Sequence, residues 1–360
     1  MRGRGINFDT GFISARTTTR EPFDPDVVRR EMRIIREDLH CNAVRITGGD
    51  PQRLEVAATY AADAGLEVWF CPFTNGLTQD ELLELLADCA ERAERLRRGG
   101  ADVVFLTGSE VSLFTTGFFP GDTLEERLAL IRDPVRVRAA IGDVRARMKK
   151  FLQRAVEIVR ARFGGKVSYA SLPFEGVDWT LFDILATDAG YRTPVNAAQY
   201  RESIRAFVAQ GRSLGKPVAI TEFGCAAFQG AADFAGSDPT FSSIVWADDG
   251  RATMLNGGYE RDEDEQACYL RELIDVFESE GVDAAFVYTF ARYDLPHRDR
   301  AEVDVDRVSA GVVKVFDGQP RAREGRYGDM PWDPKVAFMT ISDCYQHSTY
   351  PERIDAPGVS

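Results

Sequence analysis

Residues 101–110 read Ala-Asp-Val-Val-Phe-Leu-Thr-Gly-Ser-Glu, and residues 216–224 read Lys-Pro-Val-Ala-Ile-Thr-Glu-Phe-Gly. Each is a short, β-branched, apolar run, the composition of a strand buried on both faces. Each ends in a glutamate close to glycine, Glu110 or Glu222, where a strand passes into a loop. A carboxylate in that position is costly to desolvate unless it is paired or used. Two of them, on different strands of one sheet, can converge on one bond.

Outward from these runs, strand-like and helix-like segments alternate along the whole chain, as a parallel sheet requires. The strand-like segments are 3–8, 42–46, 67–71, 103–107, 166–170, 184–187, 218–221 and 284–289. Asp24-Pro25 opens the first helix, with Asp as N-cap and Pro at the first helical position. Thr78 and Glu81 have the spacing of a capping box for a helix reaching about residue 98. Residues 110–142 read as a long excursion before a helix over 144–163, and the last helix covers 335–345. Eight strand–helix units predict an α/β fold, a (β/α)8 TIM barrel, with an open doubly wound sheet as the alternative. The expected organisation is one barrel domain over 1–346 and a C-terminal tail over 347–360. Long loops follow strands four, seven and eight, the face that carries the active site in such barrels.

The net charge of −13 argues against a nucleic-acid or anionic-membrane partner, since phosphate binding needs a basic surface. Six widely spaced cysteines (Cys41, Cys71, Cys89, Cys225, Cys268, Cys344) include no C-x-x-C pair and read as free thiols in a reducing compartment. The N-terminus lacks the apolar core of a signal peptide, and no apolar run reaches the length of a membrane span. The expected location is cytoplasmic. No G-x-G-x-x-G follows a strand, so no dinucleotide cofactor is expected.

The strand ends are dense in polar and aromatic groups. Strand one offers Asn7 and Asp9, strand two Arg45, and strand three Phe73 and Asn75. Strand four offers Ser109 and Glu110, strand five Ser171 and Glu175, and strand six Asp188 and Tyr191. Strand seven offers Glu222, and strand eight Tyr288, Phe290, Arg292, Tyr293 and Asp294. Two carboxylates at one barrel mouth are the minimum equipment for general-acid and nucleophilic work on a glycoside. Trp69 and Trp179 read as core.

In these motifs the chain resembles clan A of the retaining glycoside hydrolases, the barrels that include cellulases and mannanases. Thr221-Glu222-Phe223-Gly224 is similar to the clan's strand-seven nucleophile motif, and Gly108-Ser109-Glu110 to its strand-four acid/base motif, usually Asn-Glu. Residues 42–46, with Arg45, resemble the strand-two motif whose arginine orients the nucleophile. Residues 4–7 resemble the strand-one opening, Tyr191 the strand-six tyrosine that hydrogen-bonds the nucleophile, and residues 334–338 the last helix. The chain also resembles a group labelled abortive-infection proteins.

The resemblance implies double displacement, with Glu222 as nucleophile and Glu110 as acid/base, and carboxyls about 5–5.5 Å apart. It implies a carbohydrate or glycoside substrate, either a small molecule or an oligosaccharide, and no cofactor or metal. Asn7, Asp9, Arg45, Asn75, Ser109, Glu175, Asp188, Tyr191, Trp246, Tyr288, Phe290 and Tyr293 are the expected substrate-binding residues, with Phe114, Phe118 and Phe119 as further stacking aromatics. Three departures set the chain apart: Ser109 in place of asparagine, no tryptophan floor at strand eight, and no match to the clan's active-site histidines.

Three other readings fit the same residues. A non-hydrolytic barrel can bind carbohydrate or serve as a phage-defence or scaffold protein. A biosynthetic enzyme can use the two glutamates for acid–base chemistry on a non-sugar substrate. Glu110, Asp188, Glu222 and Glu175 can ring a Mg2+ or Mn2+. An open pocket with two facing glutamates favours the enzyme; a pocket filled by residues 115–123 favours a binding role.

Overall fold

Eight parallel strands close on themselves: β1 (Gly3–Asp9), β2 (Ala43–Gly48), β3 (Glu67–Pro72), β4 (Val103–Ser109), β5 (Lys166–Ser171), β6 (Leu185–Thr187), β7 (Val218–Phe223) and β8 (Ala284–Val287). Each pairs with its neighbour in sequence, and β8 returns to β1 with Gly3 opposite Ala284. The molecule is a (β/α)8 barrel. This computed structural model describes residues 1–14, 17–236, 242–318 and 324–347. The expected tail, apart from His347, lies outside the described residues. Among the described residues, no helix is long and apolar enough to cross a membrane.

The helices are α1 (Pro25–Glu37), α2 (Pro51–Asp63), α3 (Gln79–Arg98), α4 (Val111–Phe114), α5 (Leu124–Ile131), α6 (Pro134–Arg160), α7 (Tyr200–Ser213), α8 (Glu263–Glu280) and α9 (Val336–Gln346). The Asp24 side chain accepts from the amides of Asp26 and Val27, and Thr78 and Glu81 form the capping box. The stretch expected as an excursion is largely helical. Thr123 and Glu126 cap α5 reciprocally, and Asp133 caps α6 with Pro134 at its first position. Gly142 sits inside α6 rather than closing the excursion before it. An interior glycine costs about 1 kcal/mol, which a 27-residue helix packed on α3 absorbs. The loop after β7 carries a hairpin, Ile244–Trp246 against Ala252–Leu255. The loop after β8 carries Val313–Val315 paired with Trp332–Pro334.

Side chains alternate across each strand and build two cores. Ile6, Phe8, Val44, Ile46, Phe70 and Phe105 face the helices. Trp69, Leu106, Phe286 and five alanines (Ala43, Ala170, Ala186, Ala219, Ala284) fill the barrel. Trp69 and Phe286 meet with ring centroids 4.8 Å apart. The small residues are what let two rings and a guanidinium share the interior. At Gly5 there is no room for a side chain: a Cβ there would lie 2.3 Å from Cδ1 of Phe286.

Gly5→Ala is therefore expected to cost about 1–3 kcal/mol through overpacking. Adding Phe286→Leu should restore part of that loss. Urea unfolding of the single and double variants checks it; equal stability of Gly5→Ala and wild type would contradict this packing.

Candidate active site

Arg45 lies at the middle of the barrel mouth, fully buried. Its Nη1 donates to Glu222 Oε1 at 2.7 Å and Asp188 Oδ1 at 3.0 Å. It also reaches the Thr221 carbonyl at 3.1 Å and Asn7 Oδ1 at 3.2 Å. A terminal guanidinium nitrogen has only two hydrogens, so four acceptors share them. Nη2 faces the Cys71 sulfur at 3.6 Å. Asn7 in turn donates to the backbone of β7 and β8, at Thr221 O (2.9 Å) and Val287 O (3.2 Å). The Asp188 oxygen that Arg45 leaves is taken by the Ser109 hydroxyl at 2.6 Å. The Glu222 oxygen that Arg45 leaves accepts from Tyr191 at 3.1 Å.

Glu110 follows β4 in the left-handed region, at φ 45° and ψ 39°. A non-glycine residue pays about 1–2 kcal/mol there, so the turn needs outside support. The Glu110 amide donates to Ala170 O at 3.0 Å, tying the turn to β5. The next two amides are also held: Val111 donates to the Tyr169 hydroxyl at 2.9 Å, and Ser112 to Glu175 Oε1 at 3.1 Å. Tyr169 donates to Glu175 in turn, at 2.9 Å. Glu175 is fully buried beneath this turn; it supports the backbone that presents Glu110.

Glu110 and Glu222 wall one cleft with two lobes. The smaller, about 200 Å³, is lined by both glutamates with Tyr191, Tyr288 and Arg292. The larger, about 510 Å³, is lined by Glu222, Asp9, Thr47, Trp246, Tyr288 and Asp294. Phe73 and Phe114 border both lobes.

The other expected binding residues fall elsewhere. Asn7, Arg45, Ser109 and Asp188 are buried behind the glutamates and reach a ligand only through them. The short Ser109 side chain is occupied by Asp188 rather than aimed into the cleft. Phe290 is core, packed edge-on against Trp332 at 5.4 Å, because β8 ends at Val287 and the chain turns outward. Tyr293 is drawn away by Glu31, to which it donates at 2.7 Å, and by the Arg20 guanidinium 4.2 Å from its ring. Asn75 accepts from Arg127 at 3.1 Å and steadies a loop. Phe118 and Phe119 are buried against Phe151 and Phe174. Sequence reasoning missed Phe12, Leu113, Leu128 and Phe234 as lining residues. Apolar loop residues carry no pattern that separates a pocket wall from packing.

The ring of metal ligands considered from sequence does not assemble around one point. Arg45 and Ser109 hold Asp188, and Tyr169 and two amides hold Glu175. Among the described residues the one cluster with ligand spacing is His297, Asp304 and Asp306. Its carboxylates already meet Arg261 and Lys335.

Burial pushes the Glu222 carboxyl up to about 8, and the Asp188 charge adds to it, against opposing hydrogen bonds from Arg45 and Tyr191. Burial also drives Glu110 well above the carboxylate range, followed by the charges of Asp188, Glu222 and Glu175. Among the described residues no hydrogen bond reaches the Glu110 carboxyl, so Glu110 holds its proton more firmly than Glu222. Burial lifts Glu175 to about 7.

No protein-family model and no curated protein matches the chain. Solved structures do match in fold. The GH113 β-mannanase AaManA from Alicyclobacillus acidocaldarius, in complex with ManMIm, is 15% identical, with 96% of this chain and 97% of that one covered and a TM-score of 0.55. Thermotoga maritima Cel5A, in complex with mannotriose, is 12% identical over 85% of this chain and 96% of that one, with a TM-score of 0.50. A Bacteroides uniformis β-glucuronidase is 12% identical with a TM-score of 0.53; 96% of this chain spans only 35% of that one. The chain thus shares the barrel fold of these structures.

The raised carboxyls make a stability prediction. The folded state keeps protons on Glu175 and Glu222 that the unfolded chain releases near 4.5. Stability is then highest at low pH within this window and falls as pH rises from 4.5 to about 8. Urea unfolding at pH 5 and pH 9 should differ by on the order of 3 kcal/mol or more, and Glu222→Gln should recover part of the loss at pH 9. Constant or rising stability across the window would contradict these environments.

Proposed function

We propose that the protein is a retaining glycoside hydrolase with Glu222 as nucleophile and Glu110 as acid/base. One observation carries this reading. The two glutamates wall the same open cleft, one braced by a cation and a phenol, the other met by no hydrogen-bond donor among the described residues. Glu222 Oε attacks the anomeric carbon while the glycosidic C–O bond breaks, and the departing oxygen takes its proton from Glu110. Water then gives a proton to Glu110 and attacks the same carbon, releasing Glu222 from the glycosyl ester. Arg45 and Tyr191 fix the Glu222 carboxylate, so little reorganisation is needed during attack.

The open cleft supports an enzyme over the binding or scaffold readings. Among the described residues none from 115–123 lines it, since Phe118 and Phe119 pack on the body of the barrel. The fold likeness to glycosidases supports the same class of chemistry.

A panel of aryl glycosides tests the assignment. Glu222→Gln should lose about a thousandfold or more in kcat. Glu110→Gln should lose about 10²–10⁴-fold on poor leaving groups, yet retain turnover of dinitrophenyl glycosides, with added azide captured as a glycosyl azide of retained configuration. The acid limb of the wild-type pH profile should lie above 4.5, towards about 8. Full activity of Glu222→Gln would overturn the proposal.

A further inference from the structure

From Glu222 the cleft extends two ways. Glu222 borders both lobes, whereas Glu110 borders only the smaller. An acid/base gives its proton to the leaving oxygen, so the leaving group extends into the smaller lobe. The larger lobe then holds the sugar that Glu222 attacks, with anything attached on that sugar's non-reducing side. The loops around the larger lobe are tied to one another. The loop after β1 carries a hairpin, Ile13–Ser14 against Thr17–Thr18. Asp9 fixes its base, accepting from the Gly11 and Phe12 amides at 2.8 and 3.1 Å and from the Thr19 hydroxyl. On one side this loop meets the hairpin that follows β7. A Cβ at Gly250 would lie 1.9 Å from Cγ2 of Thr17, so the Gly250 backbone rests on that side chain. Arg298, past β8, holds the same hairpin through the carbonyls of Ala252 at 3.2 Å and Thr253 at 3.1 Å. On the other side the Ile13 carbonyl accepts from the Thr74 hydroxyl at 2.9 Å and the Asn75 amide at 3.0 Å, past β3. The Gly76 amide in turn donates to the Phe114 carbonyl at 2.9 Å, past β4. Phe12, Phe73 and Phe114, one from each of these three loops, pack together with ring centroids 4.8 to 5.4 Å apart.

Among the described residues the loops after β7, β1, β3 and β4 therefore form one connected fence, and Phe12, Thr17, Phe73, Phe114, Trp246 and Gly250 line the larger lobe from it. The gap in the fence, between the loops after β4 and β7, is the smaller lobe, lined by Leu113 from one and Ala231 from the other. We infer that the enzyme is exo-acting, taking sugar from the non-reducing end of its substrate, because the fence leaves a chain no lateral way out beyond the nucleophile. A polymer bound along its middle needs such an exit on the glycone side. Here it would have to displace backbone that is hydrogen-bonded from loop to loop. The larger lobe, about 510 Å³, has the size of a small-molecule site and suits a chain end. The inference rests on the glycosidase reading for which glutamate protonates the leaving oxygen.

Binding to Glu222→Gln, measured by calorimetry, separates this inference from that reading, since it needs no turnover. The probes are β-1,4-linked trisaccharides of glucose, mannose and galactose. Each is used with its non-reducing end free and with that end blocked by a 4,6-O-benzylidene group. For the sugar that binds, the free form should be about tenfold tighter or more than the blocked form. Replacing residues 247–251 by the two-residue turn Asn-Gly keeps the hairpin but withdraws its tip from Thr17. In the same background this change should restore binding of the blocked form. Free and blocked forms binding equally to the unshortened protein, or no binding by any probe, would overturn the inference. So would a blocked form still excluded after the hairpin is shortened and the free form still binds. A failure of wild type to hydrolyse free trisaccharides that bind with this preference would overturn the hydrolase reading instead.

Discussion

One guanidinium holds the barrel mouth together. Arg45 is the cation that Asp188 and Glu222 share, and it is sealed from solvent. Removing one partner of such a buried set costs about 3–5 kcal/mol, because the others stay buried and unpaired. The arrangement also joins four strands: Arg45 from β2, Asn7 from β1, Glu222 from β7 and Asp188 just past β6. Through Ser109 the same network reaches β4, one residue before Glu110. The two glutamates are therefore positioned by one continuous chain of bonds, not by two separate loops.

The cost of this arrangement is electrostatic. Arg45 faces Asp188 and Glu222 directly, with Glu110 and Glu175 close by. Burial, with the excess of acids over bases, holds the Glu110 and Glu222 carboxyls above the usual range, and the hydrogen bonds set them apart. Among the described residues Glu222 receives two and Asp188 receives two, while Glu110 receives none. Environments that push similar groups apart in this way are how one site holds both a proton donor and a nucleophile. A second buried set, with Glu175 and Tyr169, supports the strained turn that presents Glu110.

Much of this is legible in the sequence. The eight strands follow from their apolar runs, and α1 and α3 from their capping residues. Glu110 and Glu222 stand out because a carboxylate closing a buried strand has few structural uses. Arg45 and Tyr191 are readable through the clan A motifs, and both reach Glu222. What is not legible depends on where chains turn. Phe290 and Tyr293 sit in a strand-end segment by sequence, yet β8 stops at Val287 and they turn into the core and towards Glu31. Glu175 reads as a rim acid but lies under the Glu110 turn, because Tyr169 and two amides offer it better partners than water. Gly142 reads as the end of the excursion that precedes a helix, although Asp133 and Pro134 set the helix start before it.

The most direct test of the account is to find where a sugar becomes covalently attached. Wild-type protein would be incubated with dinitrophenyl 2-deoxy-2-fluoro glycosides of glucose, mannose and galactose, then analysed by intact mass and peptide mapping. The account predicts one added fluoroglycosyl group, on Glu222, that water removes slowly. An adduct on another residue, or no adduct with a sugar whose ordinary aryl glycoside the protein hydrolyses, would contradict it.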